Sequence, residues 1–153
     1  MSPPDHQNLL WLLKQAFHYS GHTVNEAISQ HGVTSAQVGV LRQLADEPGL
    51  SGADLARRLL ISPQGAQLAL ATLERNGLIE RKPDPEHGRI QRTYLTEKGR
   101  GAVVAVNADA VAAYEELFSV LNPDERKTLA ELLVRIVVQG HGEVSFTLHP
   151  EAE

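Results

Sequence analysis

A short run of uncharged side chains, from residue 62 to residue 68, carries the most informative chemistry in this chain. Gln64 and Gln67 each end in an amide that both donates and accepts hydrogen bonds, and Leu68 adds an apolar group beside them. An amide can pair with the N6 and N7 atoms of adenine, and an apolar side chain can contact a thymine methyl group. The spacing therefore suits an element that presents these residues to base edges in the major groove of duplex DNA.

The surrounding residues predict a helix-turn-helix that positions this run. Ser51 can cap a short helix, and Asp54 in its first turn favours the positive end of the helix dipole. Ser62 can cap a second helix that begins with Pro63, a position where the missing N–H of proline needs no partner. Gly77 then ends this helix. Five residues on its opening turns lie largely off the predicted buried stripe: Pro63, Gln64, Gly65, Gln67 and Leu68.

Two short strands follow the second helix. Residues 78–82 and 90–95 are typical of strands, and the proline- and glycine-containing segment 83–88 between them predicts a turn. Arg89 at the edge of this turn suits insertion into a narrow minor groove. Because a helix-turn-helix followed by a hairpin usually binds duplex DNA, the candidate contact residues are Ser51, Ser62, Pro63, Gln64, Gly65, Gln67, Leu68, Arg81, Arg89 and Arg92.

This stretch resembles the MarR (multiple-antibiotic-resistance regulator) family of winged-helix transcription factors. The resemblance rests on residues 55–58 (LARR), 61–62 (IS), 73–81 (LERNGLIER), 84–85 (DP), 89 (R) and 95–99 (LTEKG). It implies a two-fold homodimer that binds a pseudo-palindromic duplex and regulates transcription, more often as a repressor. Relatives often have an aspartate where this chain has His87, and a polar residue where it has Leu68. We therefore expect a looser wing and weaker or differently distributed base readout.

The segments on either side of this stretch predict long helices. Apolar residues recur at helical spacing over about 6–30, 34–44, 96–120 and 123–140, and residues 144–148 alternate like a brief strand or an arm. The terminal helices indicate a dimer interface; the alternative is a monomer whose terminal helices bury each other. We expect a mainly α (α+β) fold and a single domain over residues 1–153. Within it, residues 34–99 would form the winged helix-turn-helix lobe, and residues 6–33 and 100–153 the dimerisation helices.

Composition narrows the function further. The net charge is −5, but residues 51–100 hold nine Lys and Arg against six Asp and Glu, so a modestly basic lobe adjoins an acidic remainder. Cysteine is absent, which excludes disulfides and thiol switches. We find no signal-peptide pattern and no long apolar run, and expect a cytoplasmic protein. No catalytic signature appears, so we predict neither an enzyme nor a cofactor.

Two further kinds of site rest on the long helices. His18 and His22 are four residues apart and could form half of a zinc site, although a polar helix face is the simpler reading, and we assign no metal. The resemblance implies a small aromatic ligand between the dimer helices and the winged helix. Its candidate lining residues, each also explicable by ordinary packing, are Trp11, His18, Tyr19, His22 and Tyr114. A protein-docking winged helix and a metal-responsive regulator are the alternative functions.

Overall fold

Six helices and a two-stranded antiparallel hairpin make up residues 8–142, the part of the chain that the computed structural model describes. The helices are α1 (Leu9–Ser29), α2 (Ser35–Asp46), α3 (Gly52–Arg58), α4 (Pro63–Arg75), α5 (Glu97–Leu117) and α6 (Pro123–His141). The strands are β1 (Ile79–Pro83) and β2 (Gln91–Leu95). This confirms the expected mainly α winged helix-turn-helix. The predicted start of the first helix at residue 6 and the predicted strand at 144–148 lie outside the described residues.

Polar side chains start the helices where the sequence indicated. The Ser51 hydroxyl accepts a hydrogen bond from the Asp54 N–H at 3.2 Å, and Asp54 accepts one in return from the Ser51 N–H at 3.1 Å. Such caps satisfy N–H groups that have no partner inside the helix. Five of the six described helices have a side-chain cap, at Thr34, Ser51, Ser62, Thr96 and Asn122.

The first strand lies one residue later than the sequence predicted, and the second begins one residue later but ends at Leu95 as predicted. Leu78 does not join β1, because its N–H donates to the Leu73 carbonyl at 2.9 Å and completes the end of α4, where Gly77 has a φ of 72°. Ile90 belongs to the turn, since its N–H donates to the His87 carbonyl at 2.7 Å. The strand register pairs Ile79 with Leu95 and Pro83 with Gln91.

Backbone hydrogen bonds attach the hairpin to the segment before α3. On the free edge of β2, the Thr93 N–H donates to the Leu50 carbonyl at 3.0 Å, and the Gly49 N–H donates to the Thr93 carbonyl at 2.8 Å. Leu50 lies directly before the cap of α3. The position of the wing is therefore tied by backbone hydrogen bonds to the start of α3.

The core lies between the end of α1, helices α2 to α4, the hairpin and part of α5. Its largest fully buried apolar side chains are Ile28, Val40, Leu41, Leu44, Leu55, Leu70 and Leu73. The predicted apolar stripe of α4 is confirmed, because Ala66, Ala69, Leu70 and Leu73 are all buried. Burying one face of α4 in this way fixes which of its side chains face outward.

The terminal helices do not bury each other within the protomer. In the first half of α1, Leu10 and Phe17 are about four-fifths exposed, and only Ile28 near its end is buried. Helix α6 has no buried residue among those described, although Leu129, Leu132, Leu133, Ile136 and Val137 recur at helical spacing. The monomer alternative is therefore not supported by the described residues. None of the described helices is long and apolar enough to cross a membrane.

The end of α4 and the start of α5 meet very closely. The Thr96 hydroxyl donates to the Gly77 carbonyl at 2.6 Å and accepts from the Gly99 N–H at 3.0 Å. A Cβ atom at Gly99 would lie only 1.9 Å from the Leu78 carbonyl oxygen. Residues 95–99 thus hold the long helix against the lobe that carries α4.

Candidate nucleic-acid interface

One face of α4 is available to a partner over its whole first half. Gln64, Gln67 and Leu68 are exposed, and Leu68 is 71% exposed in spite of its apolar side chain. Ala71 continues the same face one turn later, since residues three and four apart are neighbours on a helix. We call Gln64, Gln67, Leu68 and Ala71 the α4 stripe. It lies opposite the buried side of the helix, as the sequence predicted.

The first residues of α4 begin the helix and also contribute to its exposed surface. Ser62 is exposed and its hydroxyl accepts a hydrogen bond from the Gly65 N–H at 3.0 Å. Pro63 is exposed at the first helical position, and Gly65 is half-buried. These three predicted site residues therefore form the N-terminal edge of the α4 stripe.

A groove joins the α4 stripe to the wing. It lies between α3, α4 and the hairpin, and it brings together four predicted site residues from three elements: Ser51, Gln67, Arg81 and Arg89. Ser51 itself is half-buried and donates its hydroxyl to Asp54 Oδ2 at 2.6 Å, which lowers the pKa of Asp54. The side chains predicted from separate parts of the sequence are thus neighbours in the fold.

Sequence reasoning missed Gly52, which shapes this groove. A Cβ atom at position 52 would lie 2.6 Å from Gln67 Nε2 and 3.3 Å from Leu70 Cδ1. A glycine here therefore leaves room for the amide of Gln67 beside the first turn of α3. The only sequence signal was a glycine directly after the cap Ser51, and its spatial partner lies fifteen residues further along.

The three predicted arginines of the hairpin differ in their surroundings. Arg89 is exposed and makes no hydrogen bond or ion pair to any described residue. Arg81 donates from Nε to Glu74 Oε2 at 3.0 Å, and this contact lowers the pKa of Glu74. Arg92 donates from Nε to Asp84 Oδ2 at 2.7 Å. Arg89 is therefore the arginine of the wing best placed for a new partner.

The wing is braced, contrary to the expectation drawn from His87. Asp84 accepts the Arg92 guanidinium on one oxygen and the N–H groups of Glu86 and His87 on the other, at 2.8 and 2.9 Å. These hydrogen bonds, with that of Arg92 as the largest cause, lower the pKa of Asp84 to about 2. Asp84 and Arg92 thus hold the turn in the absence of an aspartate at position 87.

The five predicted ligand-lining residues do not form one site in the protomer. Tyr19 and His22 line an open groove between α1 and α5, together with Asp109 and Glu116. Tyr114 packs against Phe118 instead, with ring centroids 4.8 Å apart. Trp11 lies nearer the start of α1, where the Lys14 ammonium is 5.3 Å from its ring centroid.

The histidines of α1 do not assemble a metal site with other described residues. His18 is exposed, and His22 Nε2 lies 3.8 Å from Glu26 Oε2 on the same helix. Over residues 8–142, no group of three or more His, Asp or Glu side chains is arranged to hold a metal ion. A different histidine, His31, joins the end of α1 to α5 through Asp109 Oδ2 at 2.6 Å.

This arrangement defines the chain as a winged helix-turn-helix protein of the DNA-binding class. The model of the MarR family matches residues 31–90. An HTH-type transcriptional regulator of Bacillus cereus is 31% identical over 131 residues, which cover 84% of this chain and 87% of that protein. The chain belongs to the MarR family of transcriptional regulators, as its residues 51–99 indicated.

Two further relatives add structural comparisons. The HTH-type transcriptional repressor Rv2887 of Mycobacterium tuberculosis is 30% identical over 74% of this chain and 81% of its own. Its crystal structure in complex with p-aminosalicylic acid has a TM-score of 0.70 and covers 84% of this chain and 97% of that one. A mutant MarR of Escherichia coli complexed with operator DNA shares the fold, with a TM-score of 0.79, 24% identity and coverage of 88% and 99%.

Proposed function

We propose that this protein is a homodimeric transcriptional repressor that binds a pseudo-palindromic DNA duplex. The observation that carries the proposal is the α4 stripe, which is exposed beside a braced hairpin that presents Arg89. The stripe of each protomer would enter the major groove, and each wing would contact the adjacent minor groove. Ser62, Pro63 and Gly65 would lie at the edge of the base contacts, and Ser51 and Arg81 beside the backbone. The name of the relative Rv2887 supports the direction of regulation.

The dimer would be built by the helices at the two ends of the chain. Helices α1 and α6 expose many large apolar side chains in the protomer. An exposed apolar surface of this kind usually marks a contact with another protein chain. We therefore propose that residues 6–33 and 100–153 form the dimer interface and that residues 34–99 form the DNA-binding lobe. Two lobes related by a two-fold axis require half-sites about one helical turn apart.

A small aromatic ligand would release the DNA. The proposal is supported by the structure of the relative Rv2887 in complex with p-aminosalicylic acid, a small aromatic compound. In this chain the groove of Tyr19 and His22 lies between α1 and α5, and α5 is joined to the lobe at Gly99. A ligand that binds one spacing of the two lobes better than the other would shift the population toward that spacing.

Selection of bound sequences from random duplex DNA tests the proposal directly. We expect an enriched pseudo-palindrome whose half-site centres are about 10 base pairs apart. Affinity for it should fall as salt concentration rises, because basic side chains displace counterions from the phosphates. Recovery of no enriched duplex at low salt would overturn the proposal. A stable complex with another protein through the Leu68 face would then favour protein docking.

A further inference from the structure

The α4 stripe has no charge at all, which is unusual for a surface that approaches DNA. From Ser62 to Leu73 the chain contains no Lys, Arg, His, Asp or Glu. The stripe consists of two amides, an isobutyl group and a methyl group, and all four side chains are exposed. Whatever this face recognises must therefore be recognised by neutral hydrogen bonds and apolar contact.

The four bases differ in what they offer to such a surface. Guanine presents two acceptors in the major groove, O6 and N7, and is best met by a guanidinium or ammonium group with two donors. Adenine presents one acceptor and one donor, which match the two ends of a glutamine amide. Thymine adds a 5-methyl group, which gains from contact with an apolar side chain. The chemistry of the stripe is thus complementary to A·T pairs.

Three guanidinium groups of α3, α4 and β1 are engaged with other side chains, whereas Arg89 belongs to the wing. Arg81 pairs with Glu74, and Arg57 of α3 pairs with Asp54. Arg75 lies at the far end of α4, three turns from Gln64, and its Nη2 is 3.5 Å from the Thr72 hydroxyl. None of these three arginines belongs to the α4 stripe. The first half of α4 therefore lacks the arginine or lysine side chain that usually recognises guanine.

We infer that α4 reads A·T pairs: Gln64 and Gln67 recognise adenine edges, and Leu68 recognises the 5-methyl group of one thymine in each half-site. This inference rests on the proposed function and specifies the operator that the proposed repressor binds. It makes Leu68 a specificity-determining residue. Removal of a buried methyl group costs about fourfold in affinity.

The experiment replaces thymine by deoxyuridine, which lacks only the 5-methyl group, one position at a time in the duplex obtained by selection. For the unaltered protein we expect about a fourfold loss of affinity at one thymine of each half-site, and about sixteenfold when both half-sites are changed. Leu68→Ala should bind the thymine and deoxyuridine duplexes equally. Leu60→Ala is the matched control, because Leu60 is 67% exposed but lies outside the stripe, and it should keep the full penalty.

Each outcome supports or overturns the inference. Selected half-sites with A·T pairs opposite α4, together with a deoxyuridine penalty that Leu68→Ala removes, would support it. Half-sites with G·C pairs at those positions, or an equal penalty with Leu68→Ala, would overturn it while leaving the proposed repressor intact. Failure to select any duplex would overturn the proposed function, and the inference with it.

Discussion

At the scale of single residues, Asp84 shows how the wing is held and yields a prediction about its ionisation. The Arg92 guanidinium and two backbone N–H groups hold the pKa of this carboxyl at about 2, below its ordinary value of 3.8. Since the folded pKa is depressed, the stabilisation is fully present above pH 3.8 and is lost as pH falls toward 2. An NMR titration of the Asp84 carboxyl carbon should give a pKa of about 2 in the unaltered protein.

Arg92→Ala tests the cause of that shift. Without the guanidinium, the pKa of Asp84 should rise toward 3.8, because the largest cause of its depression is removed. Arg89→Ala is the matched control, since Arg89 makes no hydrogen bond or ion pair to Asp84 and its removal should leave the titration unchanged. A titration near 3.8 in the unaltered protein would contradict this account of the wing.

In the proposed function, Arg89 contacts the minor groove, so its replacement should change the affinity for DNA. We expect Arg89→Ala to weaken binding to the selected duplex by about 1–3 kcal/mol, because a groove-inserted guanidinium is lost. Arg89→Lys keeps the charge but not the planar fork, and should recover only part of the affinity. Fluorescence anisotropy with labelled duplex provides the measurement. Equal affinities for all three proteins would remove the wing tip from the interface.

The residue scale also shows where sequence reasoning stops. The caps Ser51 and Ser62 and the exposed Arg89 were predictable, because each depends on neighbours within three or four positions. The partners of Arg81 and Arg92 were not, since Glu74 and Asp84 lie seven and eight residues away and meet them only once the end of α4 and the strand register are fixed. The sequence singled out Arg89 at the turn, but it did not predict which partners Arg81 and Arg92 have in the fold.

At the scale of elements, the turn between α3 and α4 contains a strained residue. Leu60 has a φ of 54°, a left-handed conformation that glycine adopts more easily, and its side chain is largely exposed. Leu60→Gly should raise the free energy of unfolding by about 0.5–1 kcal/mol, after allowing for the greater entropy of the unfolded chain. Leu60→Ala removes the side chain but keeps the strain, so it should show no such gain. Urea denaturation at a fixed protein concentration distinguishes the two.

The junction of α4 with α5 gives the opposite prediction. Gly99→Ala would place a methyl group 1.9 Å from the Leu78 carbonyl oxygen, which is backbone and cannot move aside without disrupting the end of α4. We expect a loss of about 3 kcal/mol or more in the free energy of unfolding. Gly101, two residues further along α5, has nothing within 4 Å of its Cβ position. Gly101→Ala should therefore stabilise the helix by about 0.5–1 kcal/mol. Two equal thermal midpoints would contradict the close approach.

Element boundaries were predicted to within one to three residues, and the errors have a common cause. Leu78 and Ile90 have the apolar side chains of strand residues, but their N–H groups close the end of α4 and the wing turn instead. Helix α5 ends at Leu117 and not near Val120, because the Ser119 and Leu121 N–H groups donate to carbonyls only three residues back, those of Glu116 and Phe118. The pattern of apolar and polar side chains predicted the helices and strands. The backbone hydrogen bonds that end these elements could not be predicted from that pattern.

At the scale of the whole molecule, the charge and the apolar surface are divided between two regions. The basic excess lies in residues 51–100, which would form the proposed DNA-binding face, and the acidic excess lies in the remainder. The exposed apolar side chains concentrate on α1 and α6, away from that face. This separation allows one protomer to contact DNA by one end and a second protomer by the other, without either surface obstructing its neighbour.

The last prediction concerns this second surface. Trp11 is the single tryptophan of the chain and is 55% exposed in the protomer, so its fluorescence reports on the proposed interface. We expect sedimentation equilibrium to give about twice 16.7 kDa, and emission to shift to longer wavelength when dilution separates the dimer. Leu132→Lys, on α6, should sediment as a monomer and lose operator binding, because it places a charge in an apolar contact. The same substitution at Leu60, an exposed leucine of the lobe, should leave the dimer intact. A Leu132→Lys protein that remains dimeric would place the interface elsewhere.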